Sequence, residues 1–190
     1  KKFDLDYINI NLSKTILSSQ TKNYLNKFIS FQNKYNSSII EIHNRPVYLK
    51  YLHKKIPNNV YSLFFHNDPL SMDGSKTINE RKNLLKMCYK IIFNSNWSKK
   101  RFLEGLDNKF VNSNKLVVFF QSAKKNNLNI IKNKKNWITF VGKLNNAKGY
   151  DIFAKTIKRV LNKYPNWRAK IIGDEKREKI IVDHNNVDLL

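Results

Sequence analysis

The sequence is poor in the residues that usually punctuate or cross-link a fold. One cysteine, Cys88, occurs in 190 residues, which excludes an internal disulfide and fits a reducing compartment. Only five glycines and four prolines are present, so collagen-like and low-complexity linker architectures are excluded. Acidic residues are also scarce: 14 Asp and Glu stand against 36 Lys and Arg, a net charge of +22. No apolar run approaches the roughly 20 residues that span a bilayer. The start, Lys1-Lys2-Phe3-Asp4-Leu5-Asp6, has neither an initiator Met nor an apolar signal core, and reads as a cut. Neither a P-loop nor a dinucleotide glycine fingerprint occurs, which argues against Walker-type ATPases and common dehydrogenases. No hydrolase nucleophile elbow is found. The four histidines and Cys88 show no metal-ligand spacing, so no metal is expected.

What is present suffices for a core: 41% of residues are hydrophobic and 13% aromatic. The pattern alternates strand and helix. Helical periodicity is expected at 21–36, 47–56, 77–89, 95–106 and 150–164, and strands at 38–42, 60–65, 91–93, 116–120, 137–141, 169–172 and 187–190. A weaker helix is expected from Glu175 to Val182. Pro46 suits a first helical turn, and Thr77 with Glu80 has the spacing of a capping box. Alternation of this kind predicts an α/β fold with parallel sheets. The lysine-rich stretch 122–136 has little periodicity and divides the chain into two α/β domains, 1–121 and 137–190, joined by a linker.

Ligands of open α/β sheets bind beyond the carboxyl ends of the strands. That rule selects three places: His43-Asn44-Arg45-Pro46, His66-Asn67-Asp68-Pro69, and Gly142-Lys143 with Lys148-Gly149. Lys143 and Lys148 flank a helix N-terminus, where amides and the helix dipole already favour an anion such as a diphosphate. In a sequence so rich in lysine, the same pair also fits a merely solvated loop. His66 suits either a hydrogen bond to a sugar hydroxyl or phosphate, or a backbone-satisfying loop role. His43 with Arg45 reads equally as a ligand-binding pair or a strand-end cap. Asp68 reads as a base or as a turn residue before Pro69.

These segments, together with Ile91-Ile92-Phe93-Asn94-Ser95-Asn96-Trp97, Phe140–Asp151 and Ile171-Ile172-Gly173-Asp174-Glu175, resemble bacterial family 4 retaining glycosyltransferases. The resemblance covers most of the chain from Ile39 onward and rests on the order and spacing of motifs. It implies a GT-B architecture of two Rossmann-like domains, both incomplete here: the late N-terminal domain and the start of the donor-binding domain. It implies a UDP- or GDP-linked sugar donor, no cofactor or required metal, and a saccharide or lipid-linked acceptor. It implies that Gly142, Lys143 and Lys148 hold the donor diphosphate and that His66 faces the donor sugar as the catalytic-site histidine. His43, Asn44, Arg45 and Asp68 then lie on the acceptor side. The paired-glutamate motif of that family and its glycine-rich acceptor loop are not in this sequence, so the 190 residues alone are expected to be inactive. Envelope polysaccharide or lipopolysaccharide synthesis is the implied role. The implied place is cytoplasmic, at the inner membrane face, where the basic surface suits anionic lipid. Two alternatives remain: a basic nucleic-acid-binding α/β protein, disfavoured because the aromatics fall mostly at core-periodic positions, and a non-catalytic GT-B-like binding module.

Overall fold

The computed structural model describes residues 20–122, 134–175 and 180–190. The chain forms two compact units, Lys1–Lys124 and Lys125–Leu190, each treated by itself. The expected linker 122–136 lies mostly outside the described residues.

Unit 1 runs α1 (Gln20–Gln32), β1 (Ile39–His43), α2 (Pro46–Lys55), β2 (Val60–Phe65), α3 (Ile78–Met87), β3 (Lys90–Phe93), α4 (Asn96–Leu103) and β4 (Leu116–Val118). The four strands are parallel and lie in sequence order, β1-β2-β3-β4. Right-handed crossovers between neighbouring parallel strands put every connecting helix on the same face. The core bears this out: Leu49 and Leu52 of α2, Leu84 and Leu85 of α3 and Phe102 of α4 share one cluster with Ile42, Leu63, Phe65, Ile91 and Phe93. At its centre Phe65 stacks on Phe93 at 5.7 Å, and Phe102 tilts against both. Full burial of each such side chain contributes about 1.5–3 kcal/mol.

Local signals set the helix starts. The Thr77 hydroxyl accepts the Glu80 amide at 3.2 Å while the Glu80 carboxylate accepts the Thr77 amide at 2.8 Å. Ser95 Oγ accepts the Ser98 amide at the head of α4. Arg81, buried on α3, donates to the carbonyls of Ser75, Lys76 and Glu104 and so pins both flanking loops.

Unit 2 comprises β5 (Trp137–Val141), α5 (Tyr150–Lys163), β6 (Arg168–Ile172) and β7 (Val187–Leu189) in a parallel sheet of order β5-β6-β7. Tyr150, Ala154, Ile157 and Leu161 are the buried stripe of α5, spaced as one helical face requires. The helix expected over 175–182 is not observed at its described residues. Glu175, Ile180, Ile181 and Val182 are non-helical, and Ile180 and Val182 pack as apolar cover against the small core of Leu144, Tyr150 and Ile171. Burial of individual side chains, not helical periodicity, accounts for that apolar run. Among the described residues, no helix is long and apolar enough to cross a membrane.

The aromatics divide more evenly than the sequence pattern suggests. Phe65, Phe93, Phe102, Tyr61 and Tyr150 are fully buried, whereas Tyr89, Trp97, Phe119, Phe120 and Trp137 are exposed. Several of the exposed rings carry a cation: Lys90 on Tyr89, Arg101 on Trp97, and both Lys135 and Lys170 on Trp137. They lie on separate elements and form small amphipathic contacts.

Unit 1 buries a far larger core than unit 2, whose core consists of two clusters of three fully buried residues each. Amide hydrogen exchange should therefore be faster in β5, α5 and β6 than in β2 and β3. Equal protection in the two sheets would contradict this ordering.

Candidate functional site

In unit 1 the carboxyl ends of β1, β2 and β3 are drawn together by two asparagines. Asn44 follows β1 with φ at +53°, a left-handed conformation that Asn tolerates better than most side chains. Its Oδ1 accepts the His66 amide at 2.8 Å. Asn94 follows β3, and its Nδ2 donates to the His66 carbonyl, also at 2.8 Å. The His66 backbone is thus held from both sides.

Held in this way, the two sequence-selected histidines meet. His43 Nδ1 lies 2.9 Å from His66 Nε2, with the rings nearly parallel. His43 also stacks on Phe64 at 4.5 Å. The other ring nitrogen of His66, Nδ1, lies 2.8 Å from Gln121 Nε2. Burial lowers the His66 pKa, and the neighbouring His43 adds to that shift. A cavity of about 170 Å³ opens beside the pair, bounded by Phe64, Phe93, Asn94, Phe119 and Gln121. A larger groove of about 620 Å³ runs along β1 past Tyr24, Phe28, Glu41, His43 and Arg45. Part of that volume is the outer edge of β1, which pairs with no described strand.

The remaining acceptor-side candidates are committed elsewhere. The Asp68 carboxylate caps the turn after β2 through the Leu70 amide at 3.0 Å, and Arg101 grips it at 3.1 and 3.3 Å. The hydrogen bond from Arg101 is the main reason its carboxyl pKa is lowered, which leaves Asp68 a weak base. Arg45 Nη1 donates to the Asn44 carbonyl at 2.8 Å, so the guanidinium braces the positive-φ residue.

In unit 2 the diphosphate candidates fall on one loop. Gly142 ends β5 and its amide donates to the Ile172 carbonyl at 3.0 Å. A short 3-10 turn, Asn146–Lys148, leads to Gly149, whose left-handed φ of +72° turns the chain into α5. Lys143 and Lys148 are both exposed, and neither ammonium has an ion-pair partner among the described residues. Between them Asn145 donates to Glu175 at 3.0 Å, while its buried Oδ1 has no hydrogen-bond partner among the described residues. Gly173 ends β6 directly beside the Gly142 carbonyl, and any Cβ there would overlap that oxygen. The loop therefore rests on a backbone contact that only glycine permits.

Sequence reasoning singled out His43, His66, Lys143 and Lys148, and left Gln121 unnoticed at the border of the linker. A glutamine carries no periodic or motif signal, so only its contact with His66 reveals it. Among the described residues, no group of three His, Cys, Asp or Glu side chains could hold a metal ion.

No protein-family model matches the sequence, and no curated protein matches it. The fold is nonetheless shared with solved structures. The crystal structure of TarM superposes at a TM-score of 0.61 with 15% identity, over 87% of this chain and 36% of that one. A co-structure of Staphylococcus aureus MnaA with UDP superposes at 0.50 with 14% identity, over 95% of this chain and 53% of that one. The chain spans about a third of the first structure's length and about half of the second's. The two parallel α/β units belong to the Rossmann-like, GT-B class of folds.

Two outcomes are expected. Because the folded pKa of His66 lies below the ordinary value of about 6.5, the unfolded chain binds more protons in the window just below that value. This group's contribution is complete above about pH 6.5 and declines as pH falls toward the folded pKa. Urea unfolding of the wild type at pH 7.5 and 5.5 should show the decline, and His66→Gln should reduce it; an unchanged pH dependence in the variant would rule out this linkage. Separately, Gly173→Ala should destabilise unit 2 by about 2 kcal/mol or more, the scale of forced backbone strain, read as a fall in its thermal midpoint.

Proposed function

We propose that this chain is part of a retaining glycosyltransferase that moves a sugar from a UDP- or GDP-linked donor to a saccharide or lipid-linked acceptor. Its role is in envelope polysaccharide or lipopolysaccharide synthesis, at the cytoplasmic face of the membrane. The observation that carries this reading is the pair of exposed ammonium groups, Lys143 and Lys148, on the loop that enters α5, which make no ion pair among the described residues. The GT-B fold and the presence of UDP in one structure of that fold support it.

The chemistry follows from the placement. As the sugar–phosphate bond breaks, negative charge develops on the departing nucleoside diphosphate. Cations and helix-terminal amides fixed beforehand at that point stabilise the transition state more than the ground state. In this reading Lys143 and Lys148 supply those cations and the first amides of α5 supply the dipole. Gly142 and Gly149 keep side chains out of the path of the phosphates. In unit 1 the stacked imidazoles at the strand ends, with His43 the more outward of the two, are the groups offered to sugar hydroxyls. The basic surface provides attraction to anionic lipid, which is screened over a Debye length of about 8–10 Å near physiological ionic strength and weakens as salt rises.

The test is UDP binding by this chain. Lys143→Ala and Lys148→Ala should each weaken binding by about tenfold, the scale of one charged hydrogen bond. Lys143→Arg should bind nearly as well as wild type. Lys134→Ala and Lys158→Ala remove the same charge from exposed positions outside the loop. If those two weaken UDP binding as much, the attraction is that of a +22 chain in general and the loop is not the diphosphate site.

A further inference from the structure

Both ring nitrogens of His66 are used within unit 1. Nε2 faces His43 Nδ1 at 2.9 Å, and Nδ1 faces the side-chain amide nitrogen of Gln121 at 2.8 Å. A neutral imidazole has one N–H and one bare nitrogen. With Gln121 donating to Nδ1, His66 must carry its hydrogen on Nε2 and donate it to His43 Nδ1. His43 must then carry its own hydrogen on Nε2. The direction follows from the Gln121 side-chain N–H group facing the ring. An independent contact fixes the same direction: Glu41 Oε2 lies 3.7 Å from His43 Nε2, and a carboxylate favours hydrogen on the nitrogen it faces. His43 Nε2 has no hydrogen bond among the described residues, and its side chain is 50% exposed.

We propose that His43 Nε2–H and the Glu41 carboxylate together form the ligand-meeting pair of unit 1, built for a neutral hydroxyl such as a sugar's. His66 and Gln121 are positioning residues behind it. A hydroxyl is both acceptor and donor, so it can take the Nε2–H and give its own hydrogen to the carboxylate, filling a donor and an acceptor that stand 3.7 Å apart. A phosphate oxygen would gain from the first group and be repelled by the second. The pair therefore separates work between the units: hydroxyl recognition in unit 1 and diphosphate recognition in unit 2. This assignment reverses the roles that the family resemblance implies, in which His66 faces the sugar. Exposed Phe119, at the rim of the cavity beside the histidines, adds an apolar wall of the kind that the C–H face of a sugar packs on.

The inference deepens the transferase reading, but its test needs no donor and no turnover, so the two can fail separately. Long-range 1H–15N spectra of the intact chain at pH 8 report which nitrogen of each imidazole bears hydrogen. Both His43 and His66 should be Nε2–H tautomers. Gln121→Glu replaces a donor with an acceptor at His66 Nδ1, so both rings should invert to Nδ1–H; Gln121→Ala should leave mixed tautomers. A residue with only a packing role would not produce that inversion. Methyl α-D-glucopyranoside should shift the His43 signals, whereas inorganic phosphate at matched ionic strength should do so only in Glu41→Gln. Nδ1–H tautomers in the wild type, no inversion in Gln121→Glu, no shift with the glucoside, or an equal shift with phosphate in the wild type would each overturn the proposal. Circular dichroism of each variant establishes that unit 1 is folded.

Discussion

The His66 peptide unit is held at both ends by side chains from neighbouring strand ends, its amide by Asn44 and its carbonyl by Asn94. The chemistry of unit 1 depends on this clamp. Parallel strands end in step at the carboxyl edge of a sheet, and beyond that edge the ladder no longer supplies partners for the backbone. An amide and a carbonyl left there without partners would turn to water, and the loops would diverge. The two asparagines supply the missing partners and continue the sheet by one residue through side chains. His66 then stands two residues beyond Phe64, the register partner of His43, with the two imidazoles nearly parallel and 2.9 Å apart at their nearest nitrogens. The cost is the positive φ of Asn44, which Arg45 offsets by bonding to the Asn44 carbonyl.

The same edge in unit 2 is organised differently. There the strand ends meet through backbone first: Gly142 bonds to Ile172, and Gly173 sits where no Cβ fits, with Asn145 bonding Glu175 beyond them. The result is a tight backbone corner at the mouth of α5, its turns closed by backbone hydrogen bonds and its lysines exposed. A corner of that kind suits a large, charged, oxygen-rich group. A clamp of asparagines behind paired imidazoles suits small, directional hydrogen-bonding groups. The two units thus solve one problem, how to end a parallel sheet, with two chemistries: asparagine side chains in unit 1 and close-packed glycine backbone in unit 2.

How much of this was legible beforehand depends on how local the cause is. The strands Val60–Phe65 and Trp137–Val141 match their expected ranges because apolar runs bounded by Asn, Gly and His leave little choice. The capping box of Thr77 and Glu80 is present because its two hydrogen bonds lie within one turn. The helix ends were less legible: 21–36 was expected where Gln20–Gln32 is helical, since Tyr35 is exposed and tilts against Phe31 without extending the buried face. The expectation of a helix near 175–182 did not hold at its described residues because Ile180 and Val182 pack on the core from either side of exposed Ile181, an alternation that suits extended chain. In the site, the strand-end rule found both histidines, but it could not show that they touch. It gave Asp68 the same standing as His66, and only the contact with Arg101 separates them. Gln121 is 55 residues from His66, and no local pattern joins the two.

The charge of the chain bears differently on the two edges. A +22 surface raises the local concentration of any anion and so cannot by itself select one. Selectivity must come from where the field is opposed. Glu41 stands beside His43 on an otherwise cationic chain, and its carboxylate locally repels the phosphates that the rest of the surface attracts. On the loop before α5 no carboxylate makes an ion pair with Lys143 or Lys148 among the described residues, and the nearby Glu175 carboxylate accepts from Asn145 at 3.0 Å. The two strand edges thus each hold an acidic side chain, Glu41 beside His43 in unit 1 and Glu175 bound to Asn145 in unit 2. The scarcity of acidic residues, which first marked the sequence as unusual, gives the few that sit at ligand-facing edges their weight.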